Sequence, residues 1–307
     1  MGKPDITVLT VLRDTGDDIV TWLAHLEQQT FPAARFEVLV VDAGDGRQRC
    51  DIVRRYAEAA PMPIRCVRQE SDSIAAARNL GLREAQGRWV LFLDPDLLAG
   101  PGMVQTHAAA QERAGGTACV IGRIMRHPQL PEGVLTQWFL PEAWPHFLDA
   151  AAPDFLDCPA HNLSLPRSLV LDMGGFADGF RNSGFDALEL AWRLGQSGIP
   201  ASFAPDASGY IWRGVKFETE YRRQYVRGYA LPALMAATDP QRVWRRFSVT
   251  GSTFQRLADI LVMPYYLHAC VQAEGQVRII GRIFRRALRY AFRMGFRDAQ
   301  KGREPKY

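Results

Sequence analysis

Four apolar runs alternate with amphipathic segments inside the first hundred residues, and this alternation limits the folds open to the chain. Ile6 to Leu12, Phe36 to Val41, Ile64 to Val67 and Trp89 to Leu93 read as strands. Between them, Ile19, Trp22, Leu23 and Leu26 take the spacing of one buried helical face, Arg49 to Ala59 is helical, and Ser73 to Ala85 reads as a helix closed by Gly87. Parallel strands need a long crossover, and a helix is the usual one. The pattern therefore predicts a doubly wound α/β half-domain with short connections and right-handed crossovers. Its fourth strand is apolar at five consecutive positions, as a strand buried on both faces must be, and ends in Asp94-Pro95-Asp96. Ligands bind at the C-terminal mouth of such a sheet. Two carboxylates there suit a hard divalent cation, although the same three residues also read as a turn that closes the strand.

Composition removes other classes. With 307 residues, 47% hydrophobic and 23% charged, the chain has the make-up of a globular protein with a sizeable core. Five cysteines at unpaired spacings argue against a disulfide framework or a zinc site and predict reduced thiols and a cytoplasmic protein. The acidic residues near the start do not fit a secretory signal. The run Ile260 to Val271 is broken by Pro264 and His268 and is shorter than the roughly 20 residues a membrane helix needs. The net charge of +4 is unevenly spread: residues 276–307 hold ten Lys/Arg and two acidic residues, so the rest of the chain is acidic overall. A basic nucleic-acid cleft in the main body is not expected. Neither a dinucleotide-type Gly-x-Gly-x-x-Gly after the first strand nor a Walker-type Gly-Lys-Ser/Thr is present, so a diphosphate must be held some other way, and a metal on Asp94 and Asp96 would do it.

Several ordered motifs carry a resemblance. They are the run from Ile6 to Asp42, Ala75-Ala76-Ala77-Arg78-Asn79-Leu80-Gly81, the stretch Ala85 to Asp96, His161-Asn162-Leu163-Ser164-Leu165-Pro166-Arg167 and Gly174-Gly175-Phe176. Together they resemble the family 2 glycosyltransferases, over roughly residues 5 to 230. The resemblance implies a GT-A fold, a doubly wound, mostly parallel sheet flanked by helices, here with a C-terminal helical extension. Residues 1–115 would form the nucleotide-sugar half, 116–235 the acceptor half and 236–307 the extension. It further implies an inverting transfer from a nucleoside diphosphate sugar, usually a UDP-sugar, with Mn²⁺ or Mg²⁺ on the diphosphate. By this resemblance Asp42 contacts the nucleoside with Thr10 beside the base, Arg78 and Asn79 border the donor, Asp96 ligates the metal, and Asp94 supports it or reaches the ribose. Arg78, close to Arg83 and Glu84, reads equally well as part of a solvated helix face.

The sequence departs from the family where the family usually carries Glu-Asp before a helix, the aspartate being the base that deprotonates the acceptor. Aligning on Arg193-Leu194 puts Asp186 at the glutamate and Ala187 at the base. Three readings compete. Asp186, next to the flexible Gly184, serves as base. Alternatively, the acceptor is a phosphate, carboxylate or thiol that needs no base. In the third, the protein is a catalytically degenerate nucleotide-sugar-binding scaffold or regulator. Glu189 is a second catalytic candidate, but Asp186-x-x-Glu189 is a capping-box spacing and Glu189 lies four residues from Arg193, which favours a structural role. The family's metal-binding histidine is absent from Tyr210-Ile211-Trp212-Arg213. Gln224-Tyr225-Val226-Arg227-Gly228 resembles the Gln-x-x-Arg-Trp element of processive synthases with glycine in place of tryptophan, which favours single addition. The acceptor, lipid-linked or a small molecule, is expected between His161-Asn162 and residues 181–186.

From Arg278 the arginines 278, 282, 285, 289 and 293 follow one helical face, and Ile280, Ile283, Phe284, Ala287, Ala291 and Met294 the other. Such a basic amphipathic helix over residues 276–298 suits a peripheral contact with an anionic membrane. It suits equally a helix that packs its apolar face on the protein and leaves the arginines in water.

Overall fold

A computed structural model describes residues 2–13, 18–44, 48–70, 73–130, 153–158, 160–180, 182–214, 216–247, 263, 270 and 281–307. The expected alternation is present. Strand β1 (Ile6–Leu12) is followed by α1 (Ile19–Glu27), β2 (Phe36–Asp42), α2 (Gln48–Ala57), β3 (Ile64–Arg68), α3 (Ile74–Glu84) and β4 (Trp89–Leu93). Then come β5 (Leu97–Ala99), α4 (Met103–Arg113), β6 (Cys119–Arg126), β7 (Asn162–Pro166), α5 (Arg167–Asp172), α6 (Phe185–Gln196) and β8 (Ala201–Ile211). The eight strands form one sheet in the order β3-β2-β1-β4-β7-β6-β8-β5. β1 pairs in parallel with β2 and β4, β2 with β3 and β6 with β8, while β7 runs antiparallel to both β4 and β6.

The chain divides into two compact units. The first (residues 1–127, 143–178 and 186–212) carries the whole sheet. β2 and β4 are buried at every position, as strands covered on both faces must be. The face of α1 read from the sequence is the buried one: Ile19, Trp22, Leu23 and Leu26 lie in the core with Val8, Val38 and Leu91. At the edge of the sheet opposite the site, Glu37 fixes three strands at once. It accepts from Thr7 Oγ1 (2.7 Å), from the Gln86 amide (2.7 Å) and from Arg65 Nε and Nη2 (3.2 and 3.1 Å).

A buried polar network holds α4 to the antiparallel half. Between β6 and β8 the register shifts at Gly122/Arg123, which leaves local carbonyls out of the ladder. Asn162 fills the gap: its Nδ2 donates to the carbonyls of Arg123 (3.1 Å) and Ala207 (2.8 Å). The amide lies where a side chain at Gly122 would stand, since a Cβ there would meet Nδ2 at 2.2 Å. Asn162 Oδ1 bonds His107 Nε2 (2.8 Å), the other ring nitrogen bonds Ser164 Oγ (3.0 Å), and Gln111 Nε2 donates to the Ser164 carbonyl (3.0 Å). Asn162, expected beside an acceptor pocket, is thus fully buried with its amide committed to the fold.

The cysteine expectation is corrected. Cys50 and Cys66 form a disulfide with Cα atoms 5.4 Å apart. The pairing was hidden because it depends on α2 packing on β3, which a spacing of 16 residues does not reveal. Cys119, Cys158 and Cys270 are free and buried. Among the described residues no helix is long and apolar enough to cross a membrane.

The second unit (residues 128–142, 179–185 and 213–307) contains α7 (Phe217–Ala237), α8 (Pro240–Phe247) and α9 (Gly281–Gln300). Of the two uses open to the basic tail helix, packing is observed for its apolar face: Phe284, Ala287 and Leu288 are buried with Phe217, while Arg285, Arg289 and Arg297 are exposed. Tyr225 Oη donates to Asp298 (2.9 Å) and Tyr229 Oη to the Arg303 carbonyl (2.9 Å), tying α7 to the end of α9. The two helices approach closely at glycines. A Cβ on Gly228 would lie 1.9 Å from the Phe292 carbonyl oxygen, and one on Gly295 would lie 1.9 Å from that of Tyr225. This explains the glycine at the fifth position of Gln-x-x-Arg-Gly, where a tryptophan would collide with backbone.

Two predictions follow from these contacts. Burial lowers the His107 pKa to about 4, against roughly 6.5 in an unfolded chain. Below pH 6.5 the unfolded state binds a proton that the folded state refuses, so stability is constant above that pH and falls down to pH 4, by about 3 kcal/mol in all. In His107→Gln, urea midpoints should show a flatter pH dependence across that window. Gly228→Ala should cost about 2 kcal/mol or more in thermal unfolding, because the atom it meets is backbone and cannot step aside.

Candidate active site

The site builds from the C-terminal ends of β2, β1 and β4, three neighbouring strands. Asp42 ends β2, opposite Leu12 of β1, and Thr10 lies two positions earlier on β1, opposite Val40. Both are fully buried. Asp42 Oδ1 accepts from the Gly44 amide and from Arg49 Nη1, each at 3.2 Å. Gly44 is needed for this, since a Cβ would stand 1.8 Å from the Arg49 guanidinium. Asp42 Oδ2 and Thr10 Oγ1 are also buried, but neither has a hydrogen-bond partner among the described residues. Buried polar atoms are nearly always satisfied, and these two orphans, two positions apart along adjacent strands, are open to partners that a ligand would bring.

Asp94 and Asp96 follow β4 directly. Both readings of Asp-Pro-Asp apply to the backbone, because the Asp94 carbonyl accepts from the Leu97 amide (3.0 Å) and closes a four-residue turn. Trp22 Nε1 donates to the same carbonyl (3.1 Å), and the Asp94 amide donates to the His161 carbonyl (3.1 Å). The Asp94 carboxylate is partly exposed and bonds His161 Nδ1 through Oδ2. Among the described residues no three His, Cys, Asp or Glu side chains converge on a point that could hold a metal. The donor set nonetheless fits Mg²⁺ or Mn²⁺. Hard cations of this kind take one or two carboxylates and complete their shell with phosphate oxygens and water.

Arg78 is buried on α3, and its Nη1 donates to Asp186 Oδ2 at 2.6 Å. Its guanidinium also lies over the Phe176 ring, 5.5 Å from the centroid. Neighbouring Asn79 bonds both the amide and the carbonyl of Phe176, at 2.8 Å each. These contacts anchor α3 to the Gly174-Gly175-Phe176 turn and to α6. Asp186 is buried and Ala187 beside it is buried too. Glu189 is held by Arg193 through two hydrogen bonds, 2.6 and 2.8 Å, and Arg193 also donates to the carbonyls of Met173 and Gly175. The structure thus pairs Asp94 with His161 and Arg78 with Asp186, and sets Thr10 and Asp42 two positions apart on adjacent strands. It sets Glu189 in a structural fork. His161 and Arg49 are the residues that sequence reasoning did not assign to the donor side. Arg49 had only its place at the start of α2, next to a loop of glycines and aspartates, to signal it.

A mostly parallel sheet with carboxylates at the mouth of its central strands is the GT-A architecture of nucleotide-sugar glycosyltransferases, and the comparisons agree. The Glycosyl transferase family 2 model matches residues 7–167, and the chain belongs to that family. A validoxylamine A glucosyltransferase from Streptomyces hygroscopicus subsp. jinggangensis is 31% identical over 214 residues, covering 61% of this chain and 50% of that protein. The chain therefore spans about half the length of such relatives. Among solved structures, the mannosyltransferase PcManGT from Pyrobaculum calidifontis, in complex with GDP-Man and Mn²⁺, covers 99% of this chain and 89% of its own at TM-score 0.61 and 19% identity. S. aureus TarS 1–349 in complex with UDP covers 97% of this chain and 92% of its own, at TM-score 0.56 and 16% identity. At those identities the likeness establishes the fold alone.

Proposed function

We propose that this glycosyltransferase is inverting and non-processive and moves a sugar from a UDP-sugar, or another nucleoside diphosphate sugar, to an acceptor that is lipid-linked or a small molecule. The observation that carries the donor side is the orphaned pair Thr10 Oγ1 and Asp42 Oδ2. A nucleobase or ribose offers the N–H and O–H groups an unsatisfied carboxylate oxygen lacks, and Arg49 holds that carboxylate in position. Asp94 and Asp96 would hold Mn²⁺ or Mg²⁺, which stabilises charge on the departing diphosphate. Arg78 fixes Asp186 as the base that takes the acceptor's proton. The held carboxylate is pre-aimed, although one of its oxygens is already committed. Gly228, where processive synthases carry tryptophan, supports single addition.

The scaffold reading keeps one observation in its favour: both acids at the start of α6, Asp186 and Glu189, are bound by arginines, and Ala187 lies between them. Release of UDP from a panel of UDP-sugars with Mn²⁺ or Mg²⁺ separates the two. Metal-dependent release should disappear with a chelator and in Asp96→Ala, and should fall by roughly 10²–10⁴ in Asp186→Asn, the range a general base contributes. Asp42→Ala should weaken donor binding. Tight donor binding without release under any acceptor would make the protein a scaffold.

A peripheral membrane contact through residues 276–298 would be electrostatic, because Phe284, Ala287 and Leu288 of α9 are already packed against Phe217. Binding to anionic vesicles should then fall steeply with salt and be lost in the Arg285→Glu, Arg289→Glu double variant; unchanged binding in that variant would remove the tail from the reading.

A further inference from the structure

The Cys50–Cys66 disulfide has so far only a structural place, yet one of its ends adjoins a residue of the donor side. Cys50 lies in the first turn of α2 directly after Arg49, whose Nη1 donates to Asp42 Oδ1 at 3.2 Å. Cys66 lies on β3 level with Val40, two positions before Arg68, which stands level with Asp42. Alternate residues of a strand share a face, so Cys66, Val40 and Asp42 all turn toward the side that α2 covers. Further along, α2 is held by Val53, fully buried, and by Ile52 and Tyr56, which pack against the same core. In its first turn, the covalent bond at Cys50 and the ion pair at Arg49 join helix to sheet side by side.

Arg49 therefore reaches Asp42 from a helix start that is fixed by a bond a dithiol can open. Cys50 is buried, but Cys66 is half-buried on β3, the outermost strand of the sheet. A thiolate of a small dithiol attacks Cys66 Sγ, and the electron pair of the S–S bond goes to Cys50 Sγ, which takes up a proton. The second thiol of the reductant then closes the reductant's own disulfide and releases Cys66 as a thiol. Two electrons and two protons pass to the protein. The first turn of a helix frays most readily, because its amides lack intrahelical acceptors. Once the bond is open, Arg49, whose side chain is 21% exposed, gains rotamer freedom by leaving Asp42. Of the two donors on Asp42 Oδ1, the Gly44 amide then remains.

We infer that the Cys50–Cys66 bond is a redox switch on donor binding: the disulfide form presents Asp42 fixed by Arg49, and the dithiol form releases it. The effect on the donor rests on the proposed role of Asp42 at the nucleoside; the coupling of the bond to the Arg49–Asp42 pair does not. Binding and oxidation state act on each other reciprocally, so a nucleotide that prefers the disulfide form also favours that form.

The experiment uses the full chain, oxidised or treated with dithiothreitol, and UDP with Mg²⁺ as probe. Thiols counted after denaturation should rise from three to five on reduction, with circular dichroism showing the fold retained. UDP should bind the reduced form about tenfold more weakly, and saturating UDP should move the dithiol–disulfide midpoint about 30 mV more negative, the same factor for a two-electron couple. A crosslink that serves stability alone leaves that midpoint where it was. Arg49→Gln should bind UDP equally in both forms, and Cys66→Ser should bind it as the reduced wild type does, with or without reductant. Equal binding by the two wild-type forms overturns the switch, as does a bond that dithiothreitol cannot open without unfolding the chain. A redox effect that survives undiminished in Arg49→Gln overturns the route through Asp42. If UDP binds neither form, the proposed function fails and urea midpoints decide the coupling: Arg49→Gln should destabilise the oxidised protein and leave the reduced one nearly unchanged, and an equal loss in both overturns it.

Discussion

The parallel register of β2, β1 and β4 is the constraint on which the rest of the site depends. Parallel strands end at the same edge, so three chain segments far apart in sequence deliver their last side chains to one line, with neighbours roughly 5 Å apart. Asp42 stands level with Leu12, and Asp94 leaves β4 at the same edge of the sheet, because Ile6 pairs with Phe36 on one side and with Trp89 on the other. Slipping one strand by a residue would exchange its two faces and carry the carboxylate to the other side of the sheet. Glu37 guards against that slip from the far edge, where it joins β1, β2, β3 and the turn into β4 through one carboxylate. The ion pair and hydrogen bonds at one end of the sheet thus maintain the geometry of the other.

The antiparallel half is held by different means. β7 runs against both its neighbours and the β6–β8 register breaks, so the ladder leaves carbonyls to be satisfied by side chains. Asn162, His107, Ser164 and Gln111 meet that need in a closed set of hydrogen bonds. With both ring nitrogens engaged in a fully buried place, His107 remains neutral, and the network resists a second proton. His161 stands one residue before Asn162 and is the exposed neighbour of this rigid set, which gives its contact with Asp94 a firm base.

Much of this was legible in the sequence because it is local. Apolar runs and a period near 3.6 found the first four strands and the buried face of α1, and in the tail helix Phe284, Ala287 and Ala291 are buried while Arg285 and Arg289 are exposed, with Arg278 and Ile280 outside the described residues; burial imposes those periods directly. Asp42 and Asp94 could be placed at the C-terminal edge of the sheet because strand ends can be read from where an apolar run stops. What was hidden depends on pairings across long sequence gaps. Asn162 reads as a polar residue in a motif until the bulge it fills is known. The Cys50–Cys66 bond needs α2 on β3, and the glycine after Arg227 reads as a lost tryptophan until the backbone of Phe292 is seen against it. Arg78 is the instructive case. Its helix position allowed a solvated face, yet it is buried, because Asp186 arrives from more than a hundred residues downstream to pair with it.

That pairing also bears on the missing base. A buried carboxylate without a partner is costly, and a buried arginine more so; Arg78 and Asp186 make each other's burial tolerable. In the family pattern the base follows a glutamate, so the first acid can serve structure while the second does chemistry. Here the second position is Ala187, and on the proposed reading Asp186 answers both demands with two oxygens. One oxygen is bound to Arg78, and Glu189, a turn further along, is bound by Arg193 and unable to share the work. On the proposed reading, proton removal is the step with the least provision, whereas nucleoside recognition would have two unsatisfied buried oxygens to use. An acceptor that already carries negative charge asks least of such a site.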